Sequence, residues 1–457
     1  MSTAAEQIVV MGVSGSGKST IGALLADALA VPFLDADGLH PQANIVKMAS
    51  GVPLTDADRW PWLALVGRAM SDAGAAGTGL VIACSALKRV YRDAIVAAAP
   101  NVRFVHLTGT FDVLGNRLKG RSEHFMPPAL LRSQLATLEE LQADEPGFAV
   151  DIDQPALNAV TESVARLGAP ELPASVLIGV GAGGLPVVRV NGRAGAAEVY
   201  LQGAHVTSWS PAGASSALWM SDFSEFAPGK PLRGGVPICF PWFGPHDTDA
   251  NAPAHGFARL VAWRLVQARE VGDDIELVFG LTDNDLRSTW SYRFETLYTV
   301  TVGAQLGLAL QVRNLDVVSM TFAEAFHTYL TVPDIHAVTV SGFEDLGFID
   351  RLAEPPALDA EGHPVTVAAE TDRIYLGTNA EARIADGTGR TVSISTEGSQ
   401  SRVIWNPWSA KAAAMPDFGA EEWTGMVCVE TANVMSDQVT LAPGETHTMS
   451  AVIAQTF

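Results

Sequence analysis

Cysteine is scarce in this chain. Cys84, Cys239 and Cys428 are the only three in 457 residues. They lie far apart in apolar stretches, with no CxxC and no Cys/His ligand spacing, which argues against a disulfide scaffold and a structural zinc site. Long hydrophobic runs are missing too. None reaches membrane-spanning length, and the N-terminus has no basic leader region, so the cytosol is the expected compartment and no membrane partner is expected. Positive charge is also in short supply: 29 Lys and Arg face 50 Asp and Glu, a net charge of −21. That field repels phosphate backbones and argues against nucleic acid as a partner. Small anionic metabolites stay open, because local Arg and Lys clusters act at short range. A chain of this length exceeds one ordinary core, so two or three domains are expected.

What is present begins with Gly12-Val13-Ser14-Gly15-Ser16-Gly17-Lys18-Ser19, which meets the GxxxxGK[ST] pattern at every fixed position. The apolar run Ile8-Val9-Val10-Met11 before it reads as a buried strand, and residues 21–30 after it as a helix. Strand, glycine loop and helix together predict a cradle for ATP phosphates running on to Thr20, with backbone N–H groups and a helix N-terminus facing the anion. Lys18 would reach the β- and γ-phosphates, and Ser19 would hold Mg²⁺. Apolar runs recur at 31–34, 80–84 and 103–107, with helical spacing between them. That alternation predicts a parallel α/β sheet over residues 6–165, with its chemistry at the carboxyl ends of the strands.

Polar clusters do follow those runs. Asp35-Ala36-Asp37-Gly38-Leu39-His40 could assist phosphoryl transfer or be a solvated turn. Ser85, Lys88, Arg89 and Arg92 suit an anionic substrate or a surface helix. Arg117 and Arg121, four apart, share a helix face before His124-Phe125-Met126-Pro127. Taken in order, DADGLHP, N-x-x-KM, G-x-PL-x-D-x-DR-x-PW, CSALK-x-x-YRD, HFMP and QADE resemble the P-loop gluconokinases, a nucleoside-monophosphate-kinase-like fold. The resemblance implies ATP-dependent phosphorylation of D-gluconate at its 6-hydroxyl. It makes Asp37 the base or hydroxyl-orienting group, sets His40, Lys47, Arg59, Ser85 and Arg92 against gluconate, and puts Arg117 and Arg121 on a lid over the phosphates. It also suggests a homodimer. Gly38 stands where many members carry Asp, which leaves Asp35 and Asp37 as the available carboxylates.

Helical spacing fades near residue 165, and Gly168-Ala169-Pro170-Glu171-Leu172-Pro173 breaks regular structure. We place a kinase domain at 1–165, a linker at 166–176 and a second domain at 177–457. The second domain carries short alternating strands, such as 187–190, 275–279 and 296–302, and reads as a large antiparallel β-sandwich. Leu232-Arg233-Gly234-Gly235 and His255-Gly256-Phe257-Ala258-Arg259 offer two arginines for a phosphate, or the arginines of a packed β-corner. His327 sits among apolar residues, and Glu430 follows the run 426–429. Each could be structural. An acid and a base on different strands are also what sugar-ring opening requires.

RGGVPICFPWFG, HGFAR, FHTYL, TDRIY, Trp405-Asn406-Pro407-Trp408 and CVETAN resemble the aldose-1-epimerase superfamily, and within it the hexose-6-phosphate mutarotases. The resemblance implies a galactose-mutarotase-like sandwich that interconverts the anomers of glucose 6-phosphate without metal or organic cofactor. His327 would be the acid at the ring oxygen and Glu430 the base at the C1 hydroxyl. Asp372 and His255 would bind the sugar, and Arg233 and Arg259 its phosphate. Ala254 replaces a Gln found in some members. The alternatives are a non-catalytic sugar-phosphate sensor, a mutarotase of free aldoses and, for the first domain, a kinase of another small acid.

Overall fold

The first apolar run forms β1 (Gln7–Met11), and all five of its residues are buried. A strand buried on both faces belongs at the centre of a parallel sheet. In the computed structural model, which describes residues 6–50, 52, 54–119, 128–285, 290–354 and 356–457, it lies there. The sheet also holds β2 (Phe33–Asp35), β3 (Leu80–Ala83), β4 (Arg103–Thr108) and β5 (Gly147–Asp151), in the order β2-β3-β1-β4-β5, all parallel. The chain enters at the centre, steps outward, returns to β3 and then crosses to β4. The carboxyl end of β1 is therefore the switch point where such sheets bind ligands.

The helices are α1 (Lys18–Leu29), α2 (Gln42–Ala49), α3 (Asp56–Ala76), α4 (Arg89–Ala98), α5 (Phe111–Lys119), α6 (Pro128–Thr137) and α7 (Ala156–Leu167). They cover both faces. Ile8, Val10, Ile21, Leu25, Val105 and Val150 form one core. Val9, Met11, Trp62, Val66, Ile82 and Phe104 form the other. The expected helix after the glycine loop starts three residues earlier than its apolar spacing suggests, because the loop itself supplies the first turn.

The chain divides into two units, Met1–Leu167 and Gly168–Phe457. α7 runs to Leu167 and the next strand begins at Val176, so regular structure extends slightly into both ends of the stretch read as linker. No helix among the described residues is long and apolar enough to cross a membrane.

The second unit is built from antiparallel sheets of four, eight and nine strands, with a two-stranded ribbon. In the nine-stranded sheet, Phe294–Val302 alternates strictly between buried and half-buried residues. That is the period-2 pattern of a strand with one face on the core. The eight-stranded sheet centres on Met426–Asn433, where all eight residues are buried. This strand pairs with Glu324–Phe326 and Tyr329–Thr331 on one side and with Ser401–Asn406 on the other. Thr371–Leu376 follows beyond, paired to Ser401–Asn406. Tyr298 from the nine-stranded sheet meets Phe326 from the eight-stranded sheet at 5.7 Å, and side chains of both fill the space between.

Candidate active sites

In the first unit the glycine loop bends sharply after β1. Gly12 has φ +143°, and a Cβ there would lie 2.7 Å from the Leu107 carbonyl oxygen, so only glycine fits. Gly17 opens α1 without any side-chain cap, leaving the helix start facing outward as an anion site needs. The Lys18 Nζ folds back to the Val13 carbonyl at 3.0 Å. Ser19 Oγ donates to Asp35 Oδ2 at 2.6 Å. Asp35 Oδ1 accepts the Asp37 N–H at 3.0 Å, so the second carboxylate of the pair stands exposed on the next turn. Hard oxygens beside a phosphate loop are the donor set that Mg²⁺ takes, so Ser19 and Asp35 fit that ion.

The acceptor side is a connected cluster. His40 stacks on Trp62 with ring centroids 4.3 Å apart. Burial lowers its pKa; Asp37 opposes that and Arg59 adds to it. Asn44 Nδ2 lies 3.4 Å from His40 Nδ1 and donates to the Asp58 carbonyl. Lys47 Nζ is paired with Asp58 at 2.5 Å, and this bond leads the causes that hold Asp58 well below the usual carboxylate range. Arg59 Nη1 lies 3.4 Å from the Tyr91 hydroxyl, which donates to Asp56. The Ser85 carbonyl accepts the Gly12 N–H, which puts that residue against the phosphate loop.

Arg117 reaches the same loop: a Cβ on Gly17 would lie 3.4 Å from its Nη1. It donates to the Ile152 and Gln154 carbonyls. Arg121 lies outside the described residues. Gly38 has open space where a side chain would stand, so nothing steric requires glycine there.

One expected substrate contact is corrected. Arg92 is fully buried, and its guanidinium is bound to Glu145 at 2.5 and 2.9 Å and to the Ala86 and Glu139 carbonyls. With its donors engaged inside the fold, it does not face an acceptor. Gln134 went unnoticed in the sequence. From α6 its Oε1 accepts the Ser14 N–H of the phosphate loop at 2.7 Å, across 120 residues of chain.

In the second unit the eight-stranded sheet brings His327 and Glu430 together. His327 follows the strand Glu324–Phe326, and its Nε2 lies 3.4 Å from Glu430 Oε1 on the central strand. Both are buried, with His327 Nδ1 and Glu430 Oε2 unpartnered among the described residues. Burial, then Asp372, pushes the Glu430 pKa well up, while Arg351 and Arg259 pull against it. Burial, then His255, Arg233 and Arg259, pushes the His327 pKa well down. The imidazole stacks on Tyr329 at 4.8 Å and meets Trp405 edge-on.

The glycines of RGG are required where they stand. Gly235 has φ +60°, and a Cβ would be 2.3 Å from the Val206 carbonyl. That turn delivers Arg233, which is bidentate to Asp417 and donates to the Tyr329 hydroxyl at 3.0 Å. Arg259 is different. It donates to the Ala254 carbonyl at 2.6 Å, while its Nε is buried without a partner among the described residues. Residue 254 meets Arg259 through its backbone carbonyl, and its Ala side chain adds no polar group to the site. His255 sits between, 5.7 Å from His327 centroid to centroid, its pKa down to about 3 through burial, then Arg259, Arg351 and Arg233. Asp372 is buried and pairs with Arg351 at 3.6 Å. Arg351 and Asp417 lie in connecting segments outside every motif read from the sequence, which gave no signal for either.

A glycine-loop kinase sheet followed by a sugar-epimerase sandwich defines the class: a carbohydrate kinase fused to an aldose epimerase. Residues 187–454 match the Aldose 1-epimerase family model, and residues 14–149 the Shikimate kinase model. The chain belongs to the aldose 1-epimerase family in its second unit and to the gluconokinases in its first. It is 47% identical over 161 residues to the thermoresistant gluconokinase of Escherichia coli K12, covering 34% of this chain and 90% of that protein. It is 35% identical over 261 residues to a Cenchrus ciliaris protein named "Putative glucose-6-phosphate 1-epimerase", covering 54% and 78%. The crystal structure of a "putative mutarotase (YeaD)" from Salmonella typhimurium superposes with a TM-score of 0.58 at 30% identity, over 64% of this chain and 97% of that one. Both family resemblances read from the sequence therefore hold.

Proposed function

We propose that this is a bifunctional enzyme. Its first unit phosphorylates D-gluconate at O6 with ATP, and its second interconverts the α and β anomers of D-glucose 6-phosphate. The observation that carries the pairing is the presence of two separate sets of reacting groups, Ser19–Asp35 at a glycine loop and the buried His327–Glu430 pair.

In the kinase unit the loop from Gly12 to Thr20 binds the ATP phosphates and Lys18 follows the transferred group. Arg117, beside Gly17, adds positive charge where negative charge builds during transfer. Ser19 and Asp35 would hold Mg²⁺, which when bound would neutralise phosphate charge. Asp37, exposed at the strand end, orients the acceptor hydroxyl and takes its proton. His40, Lys47, Arg59 and Ser85 line the gluconate.

In the mutarotase unit Glu430 takes the proton of the C1 hydroxyl as His327 gives one to the ring oxygen, and the ring opens. Rotation about C1–C2 and the reverse proton transfers close it as the other anomer. Asp372 and His255 hold sugar hydroxyls, and Arg233 and Arg259 take the 6-phosphate. Arg259, whose Nε has no partner among the described residues, keeps a donor for it.

Two substitutions in the full chain test the reading together. Lys18→Met is expected to abolish ATP-dependent phosphorylation of gluconate and keep anomer exchange of glucose 6-phosphate by magnetisation-transfer NMR. Glu430→Gln is expected to do the reverse. A wild-type enzyme that accelerates no exchange above the spontaneous rate would remove the second activity and leave a sugar-phosphate sensor. A substrate panel in which gluconate is not the best acceptor would remove the first.

A further inference from the structure

A catalytic imidazole is usually aimed by a hydrogen bond on the nitrogen that does not react. His327 has no such bond among the described residues. Its Nδ1 is buried without a partner, and its Nε2 faces Glu430, the group it works with, at 3.4 Å. The backbone on either side is fixed: the His327 N–H donates to the Pro237 carbonyl at 3.0 Å and the Tyr329 N–H to the Gly235 carbonyl at 2.9 Å. What is left to set the imidazole plane is aromatic packing. The Tyr329 ring lies 9° from parallel to it with centroids 4.8 Å apart, and Trp405 meets both rings edge-on.

Tyr329 is in turn tied at its far end. Its hydroxyl accepts Arg233 Nη1 at 3.0 Å, and Asp417 holds the same guanidinium through Nε at 3.2 Å and Nη2 at 3.0 Å. A bidentate carboxylate fixes the plane of a guanidinium as well as its place. Trp219 lies against the Tyr329 ring, and Phe418, the neighbour of Asp417, packs on Trp219. The tyrosine is 1% exposed, so its ring is enclosed as well as tethered.

Resting on the mutarotase reading above, we propose that Tyr329 is a positioning residue for the acid. Its stacked ring aims the His327 imidazole at the sugar ring oxygen, and the Asp417–Arg233 pair is the anchor that fixes Tyr329. Arg233 then serves the acid as well as the phosphate. No proton and no covalent bond passes along this chain. It supplies orientation, which proton transfer to the ring oxygen requires.

Anomer exchange of glucose 6-phosphate by full-length variants tests this. Tyr329→Phe keeps the stack and loses the anchor, and its kcat is expected to fall about threefold to tenfold, the size of one lost hydrogen bond. Tyr329→Leu loses the stack as well and is expected to fall about 100-fold. The Kd of glucitol 6-phosphate should stay within about threefold of wild type in Tyr329→Phe, because Asp417 still holds Arg233. Asp417→Asn weakens the same anchor from its other end. If the three residues act as one chain, the double variant Tyr329→Phe with Asp417→Asn falls no further in kcat than the worse single variant, whereas independent structural losses multiply. A second readout needs no turnover. NMR relaxation of the His327 ring carbons, assigned with His327→Gln, should show the ring freed in Tyr329→Phe and more so in Tyr329→Leu. Should Tyr329→Leu fail to fold, Tyr329→Phe and the double variant decide. An unchanged kcat in Tyr329→Phe, a Kd that rises as far as kcat falls, multiplying losses in the double variant, or a His327 ring as rigid as in wild type overturns the proposal. If the wild-type enzyme accelerates no exchange, the mutarotase reading fails, while the ring relaxation still decides whether Tyr329 holds His327.

Discussion

Replacing Arg92 by Met separates a buried strut from a substrate contact. Side chains of Arg92 and Glu145 are 1% and 4% exposed, so Met would leave a carboxylate inside the fold without its cation. Burial opposes charge on Glu145, and the Arg92 hydrogen bonds with the Gln142 N–H outweigh it, holding its pKa below the ordinary value. Breaking such a pair from one side costs about 3–5 kcal/mol. In a unit of this size each kcal/mol moves the midpoint by roughly 2–4 °C, so the kinase transition should fall by about 6–20 °C. Removing both charges, Arg92→Met with Glu145→Met, should recover most of that loss, because an apolar pair avoids the desolvation cost altogether. Calorimetry of the full chain reads the transition, and gluconate kinetics below it read the site. The gluconate KM of Arg92→Met should stay within about threefold of wild type. Unchanged stability with a KM raised tenfold or more would show that the guanidinium reaches the acceptor and would refute the reasoning.

Gln134→Leu removes the acceptor for the Ser14 N–H; a lost bond of about 1 kcal/mol corresponds to roughly fivefold in the ATP KM, and an unmoved KM would dismiss Gln134 as a support of the phosphate loop. Glu324, fully buried, accepts from His447 Nε2 at 3.0 Å and from Asn433. Burial alone would lower the His447 pKa, but the bond and charge of Glu324 override it and the value is raised. A raised folded pKa gives stability that is complete below the unfolded value near 6.5 and is lost as pH rises through the folded value. Urea unfolding should therefore find His447→Gln costing more, by about 1–2 kcal/mol, at about pH 5.5 than at about pH 8.5; an equal cost at both would mean the imidazole stays neutral throughout.

The sequence carried the parts of the molecule that are local. The glycine loop and the strand and helix that flank it sit within one short stretch, and the apolar runs around His327 and Glu430 are local too, although they left each residue open to a structural reading until the family motifs were set beside them. Other features are made by distant contacts and leave no local trace. Arg233 meets Asp417 across 184 residues, and Gln134 meets Ser14 across 120. Arg92 misled for the same reason. The local reading left it open, the family resemblance set it against gluconate, and Glu145, 53 residues on, is what occupies it. Arg351 belongs to no quoted motif, and only the pairing of Phe348–Asp350 with Thr371–Leu376 brings it to Asp372.

The central strand Met426–Asn433 has a consequence for how the two activities are lost. It is laced by hydrogen bonds to three other strands and has no exposed residue, so it can open only when its whole sheet does. Its amides are expected to exchange with the slowest cooperative block of the unit. Glu430 rides on that block, and mutarotase activity should persist on heating until the sandwich itself melts. The phosphate loop is instead held by turns and a few side-chain bonds, Ser14 to Gln134 of α6 and Ser19 to Asp35 among them, so its local opening should cost less than opening that strand. Kinase activity should fade ahead of the melting of its own unit, so that one chain ages as two enzymes with separate lifetimes.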